Sequence, residues 1–396
     1  MHSATRSSAT SSTGWRVVIA YATVCASTQV LWLTFAPITT ETARHYGVSE
    51  GAVGWLAEIF PLMYVVLALP AGMLLDRFFR PALAGSGVLV ALGGLVRLGG
   101  DTYAWALAGQ ALVAVAQPVA LSAVSKLAGH YLPAEERPAG IAVGAAAGFV
   151  GMLIALVMGP TVGGHGHIER LLVVQAVIGV VTGIALVLAM LVPGHPDEEH
   201  VAIEGSAART LWAMPIMRVL CGLVFVGFGI FVALATWLQT LLHPSGISEG
   251  EAGGLLVAMV LAGTIGCAVI PQAVDRRHSE RRFMFTAVTV AVLGCLVLAT
   301  TPQLAGCAVV LVVMGAILLP ALPIVLTTVE RLAGAAAGTA GAIVWLAGNL
   351  GGIVVALIVQ GLVHEPTAAF LALAGVALLG LPAAARAGRL FSTTVA

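Results

Sequence analysis

The sequence predicts an all-α membrane protein with twelve transmembrane helices in two pseudo-symmetric six-helix bundles. Three observations predict it. First, 59% of the 396 residues are hydrophobic and 9% charged, with a mean hydropathy of +1.03. A soluble domain carries about 25% charged residues, so the solvent around most of this chain is lipid. Second, the apolar residues fall into runs close to the roughly 20 residues that cross roughly 30 Å of hydrocarbon. Third, the polar punctuation between the runs repeats halfway along the chain.

In order, residues 1–14 are polar and Ser/Thr-rich and are expected as a disordered tail. Six apolar runs follow, near 15–37, 53–75, 81–99, 103–126, 138–160 and 171–193. They make an N-terminal bundle over 15–193. The segment 194–213, GHPDEEHVAIEGSAARTLWA, is the most polar in the chain and is expected as a linker. Six more runs, near 214–241, 250–273, 283–300, 303–328, 337–361 and 366–386, make a C-terminal bundle over 214–386, and 387–396 is a short tail. With both termini on one side, that side carries fifteen Arg and Lys residues and the other only Arg44, Arg97 and Arg170. The excess of positive charge places the termini and the linker in the cytoplasm and the protein in the cell membrane.

The repeat is carried by two pairs of marks. Run 2 ends in LLDRFFR, with Asp76-Arg77 and then Arg80. Run 8 ends in AVDRRHSERR, with Asp275-Arg276. Glu136-Arg137 between runs 4 and 5 is echoed by Glu330-Arg331 between runs 10 and 11. Matched marks in matched places predict duplication of a six-helix unit.

The Gly-x-x-x-Asp-Arg pattern at Gly72 to Arg77 resembles the loop signature of the major facilitator superfamily, and Asp275-Arg276 resembles its weaker second copy. A narrower set of residues is similar to the feline leukaemia virus subgroup C receptor-related transporters. It includes Trp55-Leu56 through Tyr64, Pro70, Leu74-Leu75-Asp76, Gly109-Gln110, Val115-Ala116-Gln117 and the run from Gly254 to Asp275. That group is associated with choline and ethanolamine transport and with haem export. The resemblance implies a site built from a first-helix Trp, a fourth-helix Gln, an eleventh-helix Gln and a seventh-helix Tyr. Trp32 and Gln117 match the first two, and Asn349 stands in for the third. Val232 occupies the Tyr position, with an aromatic offered instead by Phe231 or Trp237.

Residue chemistry bears on each candidate. An indole face at Trp32 attracts a quaternary ammonium, while a Trp at that depth also suits an interfacial position. Gln117, beside Pro118 in mid-membrane, needs partners for its amide. It either lines a site with Asn349 or makes an interhelical hydrogen bond. Tyr64 lies near the midplane, with a hydroxyl for a cavity or for a neighbouring helix. Glu58 is the one carboxylate well inside the first six runs. It is read either as a proton carrier or counter-charge, or as a rim residue that is solvated or paired with Arg44 or Arg97. Gly72, Asp76, Arg77, Arg80, Asp275 and Arg276 are expected as a cytoplasmic gate. Asp76 there accepts hydrogen bonds from a helix N-terminus and from an Arg when that side is closed.

Several classes are excluded. Arg residues are scattered, with no basic face for nucleic acid. Cys25, Cys221, Cys267, Cys295 and Cys307 all lie in apolar runs, as buried thiols do. His165, His167, His195 and His200 supply no convincing metal ligand set, so no metal is expected. No phosphate-binding loop or catalytic constellation is present, so no enzyme activity and no cofactor are expected. The expected function is alternating-access transport of a small organic solute of the choline or ethanolamine type, with substrate bound between the bundles near Trp32, Tyr64, Gln117, Trp237 and Asn349. The expected partners are the solute and the lipid bilayer, and the expected working form is a monomer. Proton-coupled multidrug or metabolite efflux and haem-type amphiphile export are the alternatives. A receptor or sensor on a transporter frame is a different class, and the chain offers it only short soluble segments.

Overall fold

A transmembrane chain must satisfy its backbone hydrogen bonds internally, which leaves helices as the solution for apolar runs of this length. The computed structural model describes residues 2–164, 166–194, 207–300 and 302–386. All regular structure among them is helical. Most of the expected linker (195–206), the C-terminal tail (387–396), and His165, His195 and His200 lie outside the described residues.

The chain divides into two compact units. Unit 1 is Met1–Glu204 together with Glu330–Ala342, and unit 2 is Gly205–Val329 together with Ile343–Ala396. The expected bundles were continuous in sequence; here a short segment of the second half packs with the first.

Unit 1 contains α1 (His2–Trp32), α2 (Thr39–Tyr46), α3 (Glu50–Arg77), α4 (Phe79–Val96), α5 (Tyr103–Ser122), α6 (Val124–Tyr131), α7 (Arg137–Met158) and α8 (Ile168–Ala189). The expected tail over 1–14 is instead helical from His2, continuous with the first apolar run. No proline interrupts it, and Gly14 brings α1 so close to α6 that a Cβ there would meet the Tyr131 carbonyl oxygen at 2.1 Å. Trp15 then donates its indole N–H to Glu136 Oε2 at 2.6 Å. α4 and α8 meet with almost no side chain between them: a Cβ at Gly183 would lie 2.5 Å from the Gly87 carbonyl oxygen. Small residues at a seam let backbones approach where lipid gives no hydrophobic drive to association.

Unit 2 contains α9 (Ala207–Ala213), α10 (Pro215–Leu242), α11 (Glu249–Arg276), α12 (Glu280–Thr300), α13 (Leu304–Leu318) and α14, which runs Ala321–Ala333 and so crosses into the segment packed with unit 1. α15 (Ala337–Gln360) begins in that segment and continues through unit 2, followed by α16 (Pro366–Leu378). α3 and α11 are each 28 residues long, start at a capping serine (Ser49 and Ser248) and end in Arg after Asp. The internal repeat is therefore visible in the elements.

Eleven helical stretches among the described residues are long and apolar enough to cross a membrane, against twelve expected. The difference has one source. Leu304–Gln360, 57 residues covering the expected runs 303–328 and 337–361, counts as one stretch because α13, α14 and α15 follow one another with only short breaks at 319–320 and Gly334–Ala336. At about 1.5 Å per residue it holds enough helix for two crossings. The exposed faces of the spans carry apolar stripes: Val173, Val177, Val181, Ile184 and Leu188 make one on α8, and Leu261, Ile265 and Val269 one on α11. The protein is a multi-pass membrane protein with a lipid-facing surface. All five cysteines are buried and free.

Candidate functional site

Two clusters in unit 1 and one in unit 2 contain the residues singled out by the sequence. The first cluster is at the Asp76 end of unit 1. α3 stops at Arg77, where Phe78 leaves the helical region and α4 starts again at once. Gly72 faces the segment 338–342, and a Cβ there would lie 2.7 Å from the Thr339 Cα and 2.8 Å from the Ala342 Cβ. Only glycine permits that approach. One turn on, the Asp76 carboxylate accepts the Gly338 N–H at 3.0 Å, the Thr339 N–H at 2.9 Å and the Thr339 hydroxyl. These are unpaired donors at the first turn of α15, where the helix dipole favours an anion.

The cation completing this contact is Lys126, which donates to Asp76 Oδ1 at 3.3 Å, to the Asp76 carbonyl at 3.1 Å and to the Ala335 carbonyl at 3.3 Å. It is 4% exposed. Sequence reasoning used Lys126 only to count charge. A signal was present: Lys126 is the one lysine among 396 residues. Beside it Arg137 Nη1 pairs with Glu330 Oε1 at 3.2 Å. The two repeated Glu-Arg marks are thus cross-wired, the Arg of the first to the Glu of the second.

The other residues assigned to the gate sit elsewhere. Arg80 donates Nε–H to the Met190 carbonyl at 2.7 Å and ties α4 to the end of α8. Arg77 lies over the Phe78 ring at 5.1 Å. Asp275 and Arg276 close α11 in unit 2.

The second cluster is higher in unit 1. The Trp32 indole donates to the Ala57 carbonyl at 2.9 Å, and its ring centroid lies 6.1 Å from that of Phe60. Trp32 is half-buried. Gln117 is 4% exposed, and its Nε2 has no hydrogen-bond partner among the described residues. α1 and α5 run antiparallel. Tyr21 donates to the Ala120 carbonyl at 2.7 Å near one end, and Gln110 to the Trp32 carbonyl at 3.4 Å near the other. That register sets Gln29, 2% exposed, opposite residues 112–113, about one helical turn from the level of Gln117. The Gln29 Oε1 is also without a partner among the described residues. Sequence reasoning passed over Gln29, although it lies one turn before Trp32. Tyr64 is fully buried, and its hydroxyl is 2.9 Å from the Ser122 hydroxyl. It takes the interhelical one of its two expected positions.

Glu58 is exposed and makes no hydrogen bond or ion pair among the described residues. It does not pair with Arg97, which bonds to Thr34, Gln110 and Gln175 instead. Glu58 lies four turns from Gly72 and about 40° off the same face of α3, at 100° per residue.

The third cluster is in unit 2. Asn349 donates Nδ2–H to the Trp345 carbonyl one turn back at 2.9 Å, leaving its Oδ1 as the group it can offer. Phe228 stands edge-on to Trp345 at 5.8 Å. Val232, at the position where the resemblance implied a Tyr, packs around Gly352, whose Cβ would meet it at 3.2 Å. The Trp237 Nε1 is buried without a partner among the described residues.

The comparisons with known proteins agree on one family. A family model described as "Major Facilitator Superfamily" matches residues 17–356. Among curated proteins, the chain is 28% identical over 320 residues to Solute carrier family 49 member A3 of Danio rerio, covering 76% of this chain and 67% of that protein. It is 25% identical over 326 residues to the Choline/ethanolamine transporter FLVCR2 of Homo sapiens, covering 76% of this chain and 62% of that protein. The chain thus spans about two thirds of the length of these relatives. Among solved structures, the transporter FucP in its outward conformation superimposes with a TM-score of 0.76 at 16% identity, covering 94% of this chain and 99% of that one. The human organic anion transporter MFSD10 gives 0.74 at 16%, with the same coverage. At such identities the structural likeness speaks for the fold alone.

Proposed function

Because the chain belongs to the major facilitator superfamily, we propose that it is a carrier with twelve membrane crossings that moves a small organic solute by alternating access, and that the solute is an amino alcohol or related cationic amine. The family is one of transporters rather than enzymes. The observation that carries the substrate class is the pair of buried amides about one helical turn apart in unit 1. Gln29 offers an unpaired acceptor and Gln117 an unpaired donor. A solute hydroxyl answers either one, since it donates one hydrogen bond and accepts others. One turn from Gln29 stands the Trp32 indole, held by the Ala57 carbonyl. Its face can take the cationic end of the same molecule, an interaction of up to about 2 kcal/mol when desolvated. The 25% identity to a choline/ethanolamine transporter points the same way.

In this reading Tyr64 works from behind, fixing Ser122 next to the amides. Within unit 2, Trp237 and the Asn349 Oδ1 are the polar groups left to offer a solute. Glu58 is the counter-charge that attracts a cation to the α3 face, or the carrier of a coupled proton. The Gly72–Asp76 contact with residues 335–342, with Arg77 and Arg80 nearby in sequence, is the gate that forms and breaks during the cycle, and Asp275 and Arg276 are the matching mark within unit 2. The gate end is cytoplasmic, both termini lie on that side, the membrane is the plasma membrane and one copy is sufficient.

A second reading is efflux of apolar metabolites or drugs. It is favoured by Val232 packed on Gly352, where the resemblance implied a polar aromatic. Thermal unfolding of the purified protein separates the two, because a ligand that binds the native state raises the midpoint by mass action. Choline and ethanolamine should raise it in a saturable way, and organic anions and porphyrins should not. The reverse pattern would remove the amine assignment.

A further inference from the structure

Arg97 presents a problem that the transport reading does not touch. It follows α4 at the end of unit 1 opposite Asp76, and it is 1% exposed. One of its nitrogens is heavily used. Nη1 donates to Thr34 Oγ1 at 2.9 Å, and to Gln110 Oε1 and Gln175 Oε1 at 3.3 Å each. These acceptors are all neutral. The other two nitrogens, Nε and Nη2, are buried and make no hydrogen bond among the described residues. No carboxylate there pairs with the guanidinium: Glu58 stays apart, and Asp101 bonds to His45 at 2.6 Å. Glu41, on neighbouring α2, is not among its partners.

An uncompensated buried charge costs several kcal/mol even after relaxation. The neutral oxygens of Thr34, Gln110 and Gln175 offset only part of that. The unused nitrogens are not scattered, because Nε–H and one Nη2–H lie parallel on a single edge of the guanidinium. That is the edge which grips anions side-on. A second unused donor sits in the same cluster. Gln175 turns its Oε1 to Arg97 and to Thr34, the latter at 2.6 Å, and its Nε2 is buried without a partner among the described residues. The unused groups of Arg97 and Gln175 are therefore all N–H donors beside a net positive charge, with the Tyr46 hydroxyl the further group that bears on the guanidinium. A water molecule would satisfy some of those donors and none of the charge.

We propose that Arg97 and Gln175 bind a small inorganic anion of the halide class, chloride under ordinary conditions, inside unit 1 and apart from the Gln29–Gln117 pair. Size argues for a monatomic ion. α4 and α5 are in backbone contact here, and a Cβ at Gly109 would lie 2.3 Å from the Arg97 Cγ. The anion neutralises the guanidinium and joins α1, α4, α5 and α8 through Thr34, Arg97, Gln110 and Gln175. It thereby makes unit 1 stability depend on halide.

The test uses the purified full-length protein at constant ionic strength, with chloride or bromide exchanged for gluconate, which is too large to enter. Halide should raise the unfolding midpoint saturably, by about 3 °C at tenfold excess over its dissociation constant. Arg97→Gln should abolish that difference, and Gln175→Met should weaken it. Equal midpoints in chloride and gluconate for the unaltered protein would overturn the proposal, as would a difference that survives Arg97→Gln. Should Arg97→Gln fail to fold, crystals of the unaltered protein grown in bromide decide the matter. An anomalous peak in hydrogen-bond reach of Arg97 Nε and Nη2 supports the site, and no peak there overturns it.

Discussion

A buried amide left without a partner costs about 1–3 kcal/mol, and in unit 1 two such amides, Gln29 and Gln117, stand about one helical turn apart. If the solute hydroxyl fills that gap, Gln117→Leu should weaken choline binding about 10- to 100-fold while the protein still folds, because leucine suits the surrounding apolar helices. Titration calorimetry on the purified variant measures this, and unchanged affinity would remove Gln117 from the site. Glu58 makes a different prediction. Exposed on α3 with no ion pair among the described residues, it is free to exchange a proton. Glu58→Gln should abolish any dependence of uptake on an imposed pH gradient if it carries the coupled proton, and an unchanged dependence would assign it to charge attraction alone. Gln117 was legible in the sequence because an amide beside a proline in mid-membrane stands out. Lys126 and Arg97 were not. In a hydropathy pattern a basic residue at the end of an apolar run reads as a topology mark. Whether it turns inward to a carboxylate, as Lys126 does to Asp76, depends on a partner on a distant part of the chain.

At the scale of elements, the gate is an α3 end fitted to an α15 start. Asp76 was expected to accept from a helix N-terminus, and it does so at Gly338 and Thr339. That contact was legible because the Gly72-to-Arg77 spacing puts the glycine and the carboxylate on one face. The cross-pairing of Arg137 with Glu330 was not, since the repeat shows equivalence between halves and not which partner each mark chooses. Asp76→Asn removes the charge and leaves one oxygen for four donors. Hydrogen bonds to charged groups contribute about 1.5–3 kcal/mol each, so the loss of one at about 2 kcal/mol shifts the closed-to-open ratio roughly 30-fold. Uptake by the Asp76→Asn protein should therefore fall at least tenfold with solute affinity within about twofold of the original. A comparable loss of affinity would place Asp76 in the binding site instead of the gate.

For the whole molecule, the membrane class and the repeat were legible from hydropathy and punctuation alone. What the pattern could not show is how the chain is partitioned. Residues 330–342 pack with unit 1 through Asp76, Lys126 and Arg137, although they belong by sequence to the second half. This is a consequence of long-range polar contacts that no local periodicity encodes. Between the apolar runs 303–328 and 337–361 the chain stays helical in α14 to Ala333 and turns through Gly334–Ala336, where Glu330 and the first turn of α15 find partners in unit 1. The central claim is that the molecule carries a small cationic amino alcohol across a membrane. Uptake of radiolabelled choline and ethanolamine into liposomes containing the purified protein tests it most directly. The account predicts saturable accumulation above protein-free liposomes, competed by the unlabelled amines. Uptake of both compounds at the level of empty liposomes, from protein that is folded and oriented, would contradict it.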